Sequence, residues 1–403
     1  MDERVAGDGY RWNRRRMRSN NEWLLLERLR AAGPLSRAQL ARDSGLSKPT
    51  VSAALAALAR AGLVREAGTL VPDRGRSAVL YEPDPAAGHV LGLDIGRGRL
   101  RAAVADLSGA VIARVDRPNQ GRSAASVADA VVDAAQLALA EAGVGPAEVV
   151  HAAAGTPGVF DPGAGRVRYA VNLPGWGRPG LFERMRRRLG LDLSVHNDAN
   201  LAALGEYAFG AGAGSRLFVY VLVGTGLGMG VVAEGRLFAG AHGAAGEIGY
   251  LPYRPPAAGR PPEGGTAPRR GLLEDAVSAD AVVRTARAAG MTGSLTAKKV
   301  FEAARAGDPA ALLAVRQEAE RLAVVVASVS AVLDPDLVVL GGGVAHSADL
   351  LLGPVRETLP RLTPLRPRVA PSALGDGAVL LGAIATALGT ARPLVFERRT
   401  AVL

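Results

Sequence analysis

Apolar strands that each end in a glycine-rich turn constrain this chain more than any other feature. Residues 89–95 form one such strand, and Gly96-Arg97-Gly98 turns it into a second at 100–107. Gly224-Thr-Gly-Leu-Gly-Met-Gly230 joins two more within the uncharged stretch 217–233. Leu340-Gly341-Gly342-Gly343 follows a strand at 336–340 and precedes a helix. Amphipathic helices near 126–142 and 181–189 alternate with strands near 149–154 and 193–196. Leu312, Val315, Ala319, Leu322, Val326, Val329 and Leu333 repeat at helical spacing along one long helix, a stripe that reads as core or dimer surface. Strands alternating with helices imply α/β lobes with parallel pairing.

One glycine loop alone reads equally well as a tight turn. Three in one α/β body, the first behind Asp94 at a strand end, point to a nucleotide site between two lobes, because glycine lets backbone approach a phosphate. The candidates there are Asp94, Gly96, Thr225, Gly226, Gly342 and Gly343. The spacing is not the G-x-G-x-x-G of a dinucleotide fold. A second constellation is polar: His196-Asn197-Asp198-Ala199-Asn200 at a strand-to-helix junction, Gly246-Glu247-Ile248-Gly249-Tyr250 after a glycine-rich loop, and the turns Gly155-Thr-Pro-Gly158 and Asn172-Leu-Pro-Gly-Trp176. An Asn–Asp pair with a separate Glu supplies partners for neighbouring sugar hydroxyls, and a carboxylate can serve as general base for attack on a γ-phosphate. Asp198 or Asn200 can equally be a helix cap.

Charge sets the N-terminal fifth apart. Residues 1–80 hold 15 Arg or Lys against 8 Asp or Glu, a net +7 of the chain's +10. Three short helices are expected there: one from Ser19 as N-cap to Gly33, one opening at Ser36 with Gln39 as its capping-box partner and ending at Gly45, and one capped by Ser47 with Pro49 in its first turn. Val51, Leu55 and Leu58 face inward on the third. Helix, glycine turn, helix is the helix-turn-helix arrangement of DNA-binding domains. Extended segments at 62–68 and 78–82 read as a wing whose tip, Asp73-Arg74-Gly75-Arg76, suits a minor groove. Lys48, Thr50, Ser52, Arg74 and Arg76 are the DNA-contact candidates, while Ala53, Ala54 and Ala57 add little hydrogen bonding to the reading helix. A three-helix oligomerisation or peptide-binding module is the plainer alternative. The domain expectation is a winged helix-turn-helix over 1–82, a linker over 83–87, a first lobe over 88–208 completed by a helix near 376–395, and a second lobe over 209–375.

With no cysteine, the chain has no disulfide framework, thiolate nucleophile or cysteine-ligated metal. The apolar run 23–26 is too short for a signal-peptide core, and glycines through 224–230 favour strand–turn–strand over a membrane helix, so a soluble cytoplasmic protein is expected.

In the order of these motifs the sequence resembles the ROK family (repressors, open reading frames and sugar kinases), over nearly the whole chain, and in particular its helix-turn-helix regulators. The resemblance implies an actin-like (ribonuclease H-like) ATPase-type body closing over a sugar, usually in a dimer or tetramer. It places Asp198 at the catalytic base of kinase members and Asn197, Glu247 and Glu274 at sugar-binding positions; Asp198 itself, Asn172 and Tyr250, which offers a hydroxyl or a stacking face, complete the sugar-site candidates. Two departures stand out. Kinase members read Asp-Ile-Gly-Gly-Thr at the first phosphate turn, whereas Gly96 is followed here by Arg97 and Gly98. Many members bind structural zinc through three cysteines and a histidine; Tyr250 stands at that histidine and Leu273 at one cysteine, so no zinc is expected.

Three readings follow. The first is a sugar-responsive transcriptional regulator, a repressor by family expectation, that binds an operator in double-stranded DNA. A sugar or sugar-phosphate effector would act through its non-catalytic kinase-derived body. The second is an ATP-dependent sugar kinase, glucokinase-like and using Mg-ATP, with a DNA-binding head. The third is a scaffold without ligand.

Overall fold

The computed structural model describes residues 14–71, 77–170, 173–253 and 271–401, without the side chains of 14–18. Arg74, Arg76 and Asn172 therefore lie outside the described residues. The chain divides into two compact units, one comprising residues up to 90 with 105–110 and those from 388 onward, the other 91–104 and 111–387.

The first unit opens with α1 (Arg14–Ala32), β1 (Leu35–Ser36), α2 (Arg37–Ser44) and α3 (Lys48–Arg60). Ser19 is not a cap: α1 begins five residues earlier, because Arg14–Arg18 contains good helix formers and no breaker. Ser36 caps α2 through a capping box with Gln39, and Gly45 closes it in the left-handed conformation at φ +71°. Ser47 Oγ accepts from Thr50 N–H at the start of α3, and Pro49 fits its first turn. Val51, Leu55 and Leu58 are buried as their spacing predicts. Ala54 and Ala57 are buried with them, so they belong to the core and only Ala53 of the three reaches solvent. The wing is an antiparallel pair, β2 (Val64–Leu70) and β3 (Ala78–Pro83), bulged between Glu66 and Gly68. β1 pairs with β3, a contact too short to leave a sequence pattern.

The second unit holds two five-stranded sheets. β4 (His89–Ile95), β5 (Arg99–Asp106), β6 (Val111–Pro118), β7 (Val149–Thr156) and β10 (Leu193–Asn197) make the first, in the order β10-β7-β4-β5-β6. α4 (Ala124–Ala142) and α5 (Leu181–Leu189) bury Val131, Ala135, Phe182 and Met185 against it. β8 (Val159–Asp161) and β9 (Arg166–Arg168) form a small hairpin between them in sequence. After α6 (Asp198–Phe209) come β11 (Leu217–Val223), β12 (Leu227–Ala233) and β13 (Arg236–Leu237). These join β14 (Leu337–Gly341) and β15 (Arg368–Pro371) in the second sheet, ordered β13-β12-β11-β14-β15. The helices α7 (Leu272–Val277), α8 (Ala279–Ala288), α9 (Ala297–Arg305), α10 (Pro309–Leu333) and α11 (Ala348–Leu362) supply the apolar residues that cover its face. The stripe on α10 is core at Val315, Ala319, Leu322, Val326 and Val329, while Leu312 stays exposed. Pairing is mixed rather than purely parallel: β10–β7, β11–β14 and β14–β15 are parallel, but β11–β12 and β12–β13 are antiparallel hairpin partners, as the glycine-rich two-strand run implies.

The last helix, α12 (Ala378–Ala401), contributes its first residues to the second unit and its remainder to the first. Within the first unit, Arg399 donates to the carbonyls of Ala61, Gly62 and Ala87, and Phe396 meets Trp23 edge-on at 5.0 Å. Among the described residues α12 alone is long and apolar enough to cross a membrane, and half of that apolar window is buried in the protein, as in a core helix.

Candidate functional site

The strand ends of the second unit surround a cavity of about 770 Å³. Nearly every body residue singled out in the sequence lines it: Asp94, Gly96, Asn197, Asp198, Thr225, Gly226, Glu247, Tyr250, Glu274, Gly342 and Gly343.

At one part of the cavity, β10 runs directly into α6. Asn197 is the helix cap, with Oδ1 accepting from Asn200 N–H at 3.0 Å and Nδ2 donating to the Gly158 carbonyl at 3.2 Å. Capping by Asn197 leaves Asp198, the first helical residue, facing the cavity with one oxygen on Ala199 N–H. Burial raises the Asp198 carboxyl to about 6, and the negative charges of Asp94 and Glu274 add to the effect. Glu247 is raised to about 7, first by burial and then by Asp198 and Glu274. The loop carrying Glu247 depends on Gly246, whose φ is +95° and where a Cβ would strike the Met229 carbonyl. A Cβ at Gly271 would collide with the Gly249 carbonyl, so α7 starts hard against this loop. Glu274 then accepts from Leu227 N–H at 3.4 Å. Three carboxyls thus share one partly dehydrated pocket, an arrangement suited to accepting hydrogen bonds from several neighbouring hydroxyls. Trp176 is not part of it: its indole is buried and donates to Thr156 Oγ1.

At the glycine loops the picture is divided. Gly342 holds φ +83° under the Val223 carbonyl and Gly343 meets nothing within 4 Å on its Cβ side, so this backbone is open to a close ligand. The first turn differs. Gly96 N–H is spent on the Arg99 carbonyl, and the carboxylate of Asp94 is bound by Arg101 of the adjoining strand, Nη1 to Oδ2 at 2.8 Å. Arg101 also reaches Asp116 at 3.1 Å and Asp376 at 3.8 Å. Both partners are largely buried, at 11% and 7% side-chain exposure. Burial pushes the Asp94 carboxyl up while Arg101 opposes it, and three surrounding carboxylates outweigh burial to keep the guanidinium charged. Arg101 thus engages one oxygen of the strand-end carboxylate that would face the cation of a magnesium–nucleotide.

Among the lining residues that sequence reading missed, Arg101 and Tyr169 stand out. Arg101 sits two positions after Arg99 in β5, so strand alternation places both on one face, but nothing in the pattern says that the face is that of Asp94. Tyr169 lies beyond β9 with φ +63°, a conformation that sequence does not announce. On the head, Lys48 is exposed and Thr50 and Ser52 are half-buried on α3; the Thr50 hydroxyl lies 2.8 Å from Ser47 Oγ and is partly engaged in the cap.

Comparison with known proteins agrees with both units. Residues 90–390 match the model of the ROK family and residues 18–76 that of the MarR family. The chain is 32% identical to a glucokinase of Halalkalibacterium halodurans over 317 residues, 72% of this chain and 92% of that one. It is 25% identical to a xylose repressor of Caldicellulosiruptor bescii over 382 residues, 91% and 94% of the two chains. A solved ROK family transcriptional regulator, described as a homologue of the Escherichia coli MLC protein, superposes with a TM-score of 0.76 at 22% identity, over 96% of this chain and all of that one, and shares the fold. On the match that spans 90–390, the chain belongs to the ROK family, with a MarR-like winged helix-turn-helix preceding its sugar-kinase-like body.

Proposed function

We infer that this protein is a sugar-responsive, DNA-binding transcriptional regulator, most simply a repressor, whose body senses a sugar without phosphorylating it. One observation carries the reading: the fused winged head accompanies a cleft whose carboxyls stand ready for hydroxyls while Asp94 is occupied by Arg101. The xylose repressor that aligns along nearly the whole chain supports it. In this reading Asn197, Asp198, Glu247, Tyr250 and Glu274 hold the sugar, together with Asn172. Lys48, Thr50, Ser52 and the wing arginines Arg74 and Arg76 meet an operator in double-stranded DNA. The body works as two lobes, 88–208 completed by 376–395, and 209–375. A homodimer or homotetramer in the cytoplasm sets paired heads roughly 34–36 Å apart, one helical turn, and a sugar that favours one lobe arrangement alters that spacing.

The test is fluorescence anisotropy on duplex DNA from upstream of the protein's own gene. Saturable binding at moderate salt, released by a sugar, supports the reading; no preference for that duplex over unrelated DNA overturns it. The raised carboxyl of Asp198 favours a second reading, since a group near 6 is a competent general base for hydroxyl attack. Mg-ATP turnover against a sugar panel, abolished by Asp198→Asn, would establish the kinase instead.

A further inference from the structure

Beyond the carboxyls, the cavity is lined by a pair of tyrosines, Tyr250 of the Gly-Glu-Ile-Gly-Tyr motif and Tyr169, which no motif singles out. Tyr169 and Tyr250 both line it, their ring centroids 6.0 Å apart and their planes at 64°, so that one ring's edge meets the other's face in an open corner. They are 52% and 40% exposed, unusual for two adjoining aromatic side chains at the rim of a deep cavity. Tyr169 is held at φ +63°, a strained position for a bulky residue, and such strain concentrates where a side chain must be aimed. The Arg168 guanidinium, 5.8 Å from its centroid, rests over the ring and fixes its orientation.

The electrostatic neighbours order the site. Asp198 feels both Asp94 and Glu274; Glu247 feels Asp198 and Glu274; Tyr250, raised first by burial, feels Glu247, Glu274 and then Tyr169. The tyrosine corner therefore adjoins Glu247 and Glu274 within the same cavity. A single pyranose held by the carboxyls leaves part of the cavity of about 770 Å³ unfilled, shared between the glycine loops and the tyrosine corner.

We propose that Tyr169 and Tyr250 form a second-ring subsite, and that the effector is a disaccharide or longer glycoside. One ring is held by the carboxyls and the next is stacked in the tyrosine corner. The C–H face of a pyranose carries partial positive charge and the face of a phenol ring negative charge, so stacking is favourable without any further hydrogen bond. The ring hydroxyls stay at the open rim, where water replaces any bond the protein does not make. This inference rests on the sugar-binding reading of the same cleft.

Isothermal titration of the full-length protein decides it, with glucose, xylose and N-acetylglucosamine each compared with their β-linked disaccharides. At least one disaccharide is expected to bind about tenfold more tightly than its monosaccharide. Tyr169→Gly removes the ring while easing the backbone, and should bring that ratio close to one; Tyr250→Phe keeps the stacking face and should retain most of it. If a monosaccharide binds as tightly as its disaccharide, or Tyr169→Gly leaves the ratio intact, the second-ring subsite is refuted while sugar sensing stands. If neither size of sugar binds, the sensing reading itself falls, and this inference with it.

Discussion

Arg101 Nη1 lies 2.8 Å from Asp94 Oδ2, and that contact ties the one carboxylate at the first glycine turn to a cation from the neighbouring strand. A buried pair of this kind is costly to break, because the partner left behind stays charged in a dehydrated place. Arg101→Ala should therefore lower unfolding free energy by about 3–5 kcal/mol at neutral pH. Adding Asp94→Leu to it should recover most of that loss. Urea denaturation of the two variants checks this; a single variant as stable as the parent would show that the pair is not a buried unit.

Sugar affinity should depend on pH in one direction. Hydroxyls donate to ionised carboxylates, and Glu247 and Asp198 titrate near 7 and 6 in the ligand-free protein. Binding should then be full above pH 7 and fall by up to about tenfold per unit below it. Stability of the free protein runs the opposite way, decreasing as pH rises from the ordinary carboxyl range to those raised values, since the folded state holds the protons longer. Calorimetric titrations at pH 8, 7 and 6 in buffers of matched ionic strength report the affinity; a flat profile would remove these carboxyls from the sugar.

Glu318 should make the protein lose stability as pH rises through neutrality. It is fully buried on α10, its nearest cation is Arg321 at 3.7 Å, beyond hydrogen-bond length, and burial raises it to about 8. The folded state keeps its proton between about 4.5 and 8, so the stability it contributes in acid is lost as pH rises through that window. Glu318→Gln should flatten the decline in melting temperature between pH 6 and 9. An equal decline in both proteins would place the sensitivity elsewhere.

Arg399 should hold the head together from the far end of the chain. Its guanidinium serves three carbonyls, those of Ala61 at 3.2 Å, Gly62 at 3.0 Å and Ala87 at 2.6 Å. Arg399→Ala should cost about 2–3 kcal/mol in the first unit and expose the segment after α3 to limited proteolysis. DNA affinity should drop in parallel, with Arg399→Lys intermediate because one ammonium cannot span the same fork. Unchanged proteolysis would mean that the segment is held without it.

Local chemistry made much of this molecule readable in advance. Ser36, Gln39, Gly45 and Ser47 set helix ends through contacts spanning three or four residues, and the strand at 89–95 and the helix at 181–189 follow from patterns of the same range. The two ends of α1 show the limit: Gly33 stops it, but the start before Ser19 needed no special residue and left no mark. Ala54 and Ala57 show another, since a methyl group is as much at home in a core as in water, and only the partners of α3 decide.

What the residues determined by themselves was therefore the inventory: a capped helix-turn-helix, an α/β body, and carboxyl and glycine motifs with the chemistry of a sugar and a phosphate. What the tertiary structure decided was which charges meet. Arg101 and Asp94 are seven residues apart on neighbouring strands, and Tyr169 and Tyr250 are eighty-one apart on different sheets' loops. Ion pairing and ring contact depend on separations of a few ångströms, which strand register and loop conformation fix and which no spacing along the chain encodes.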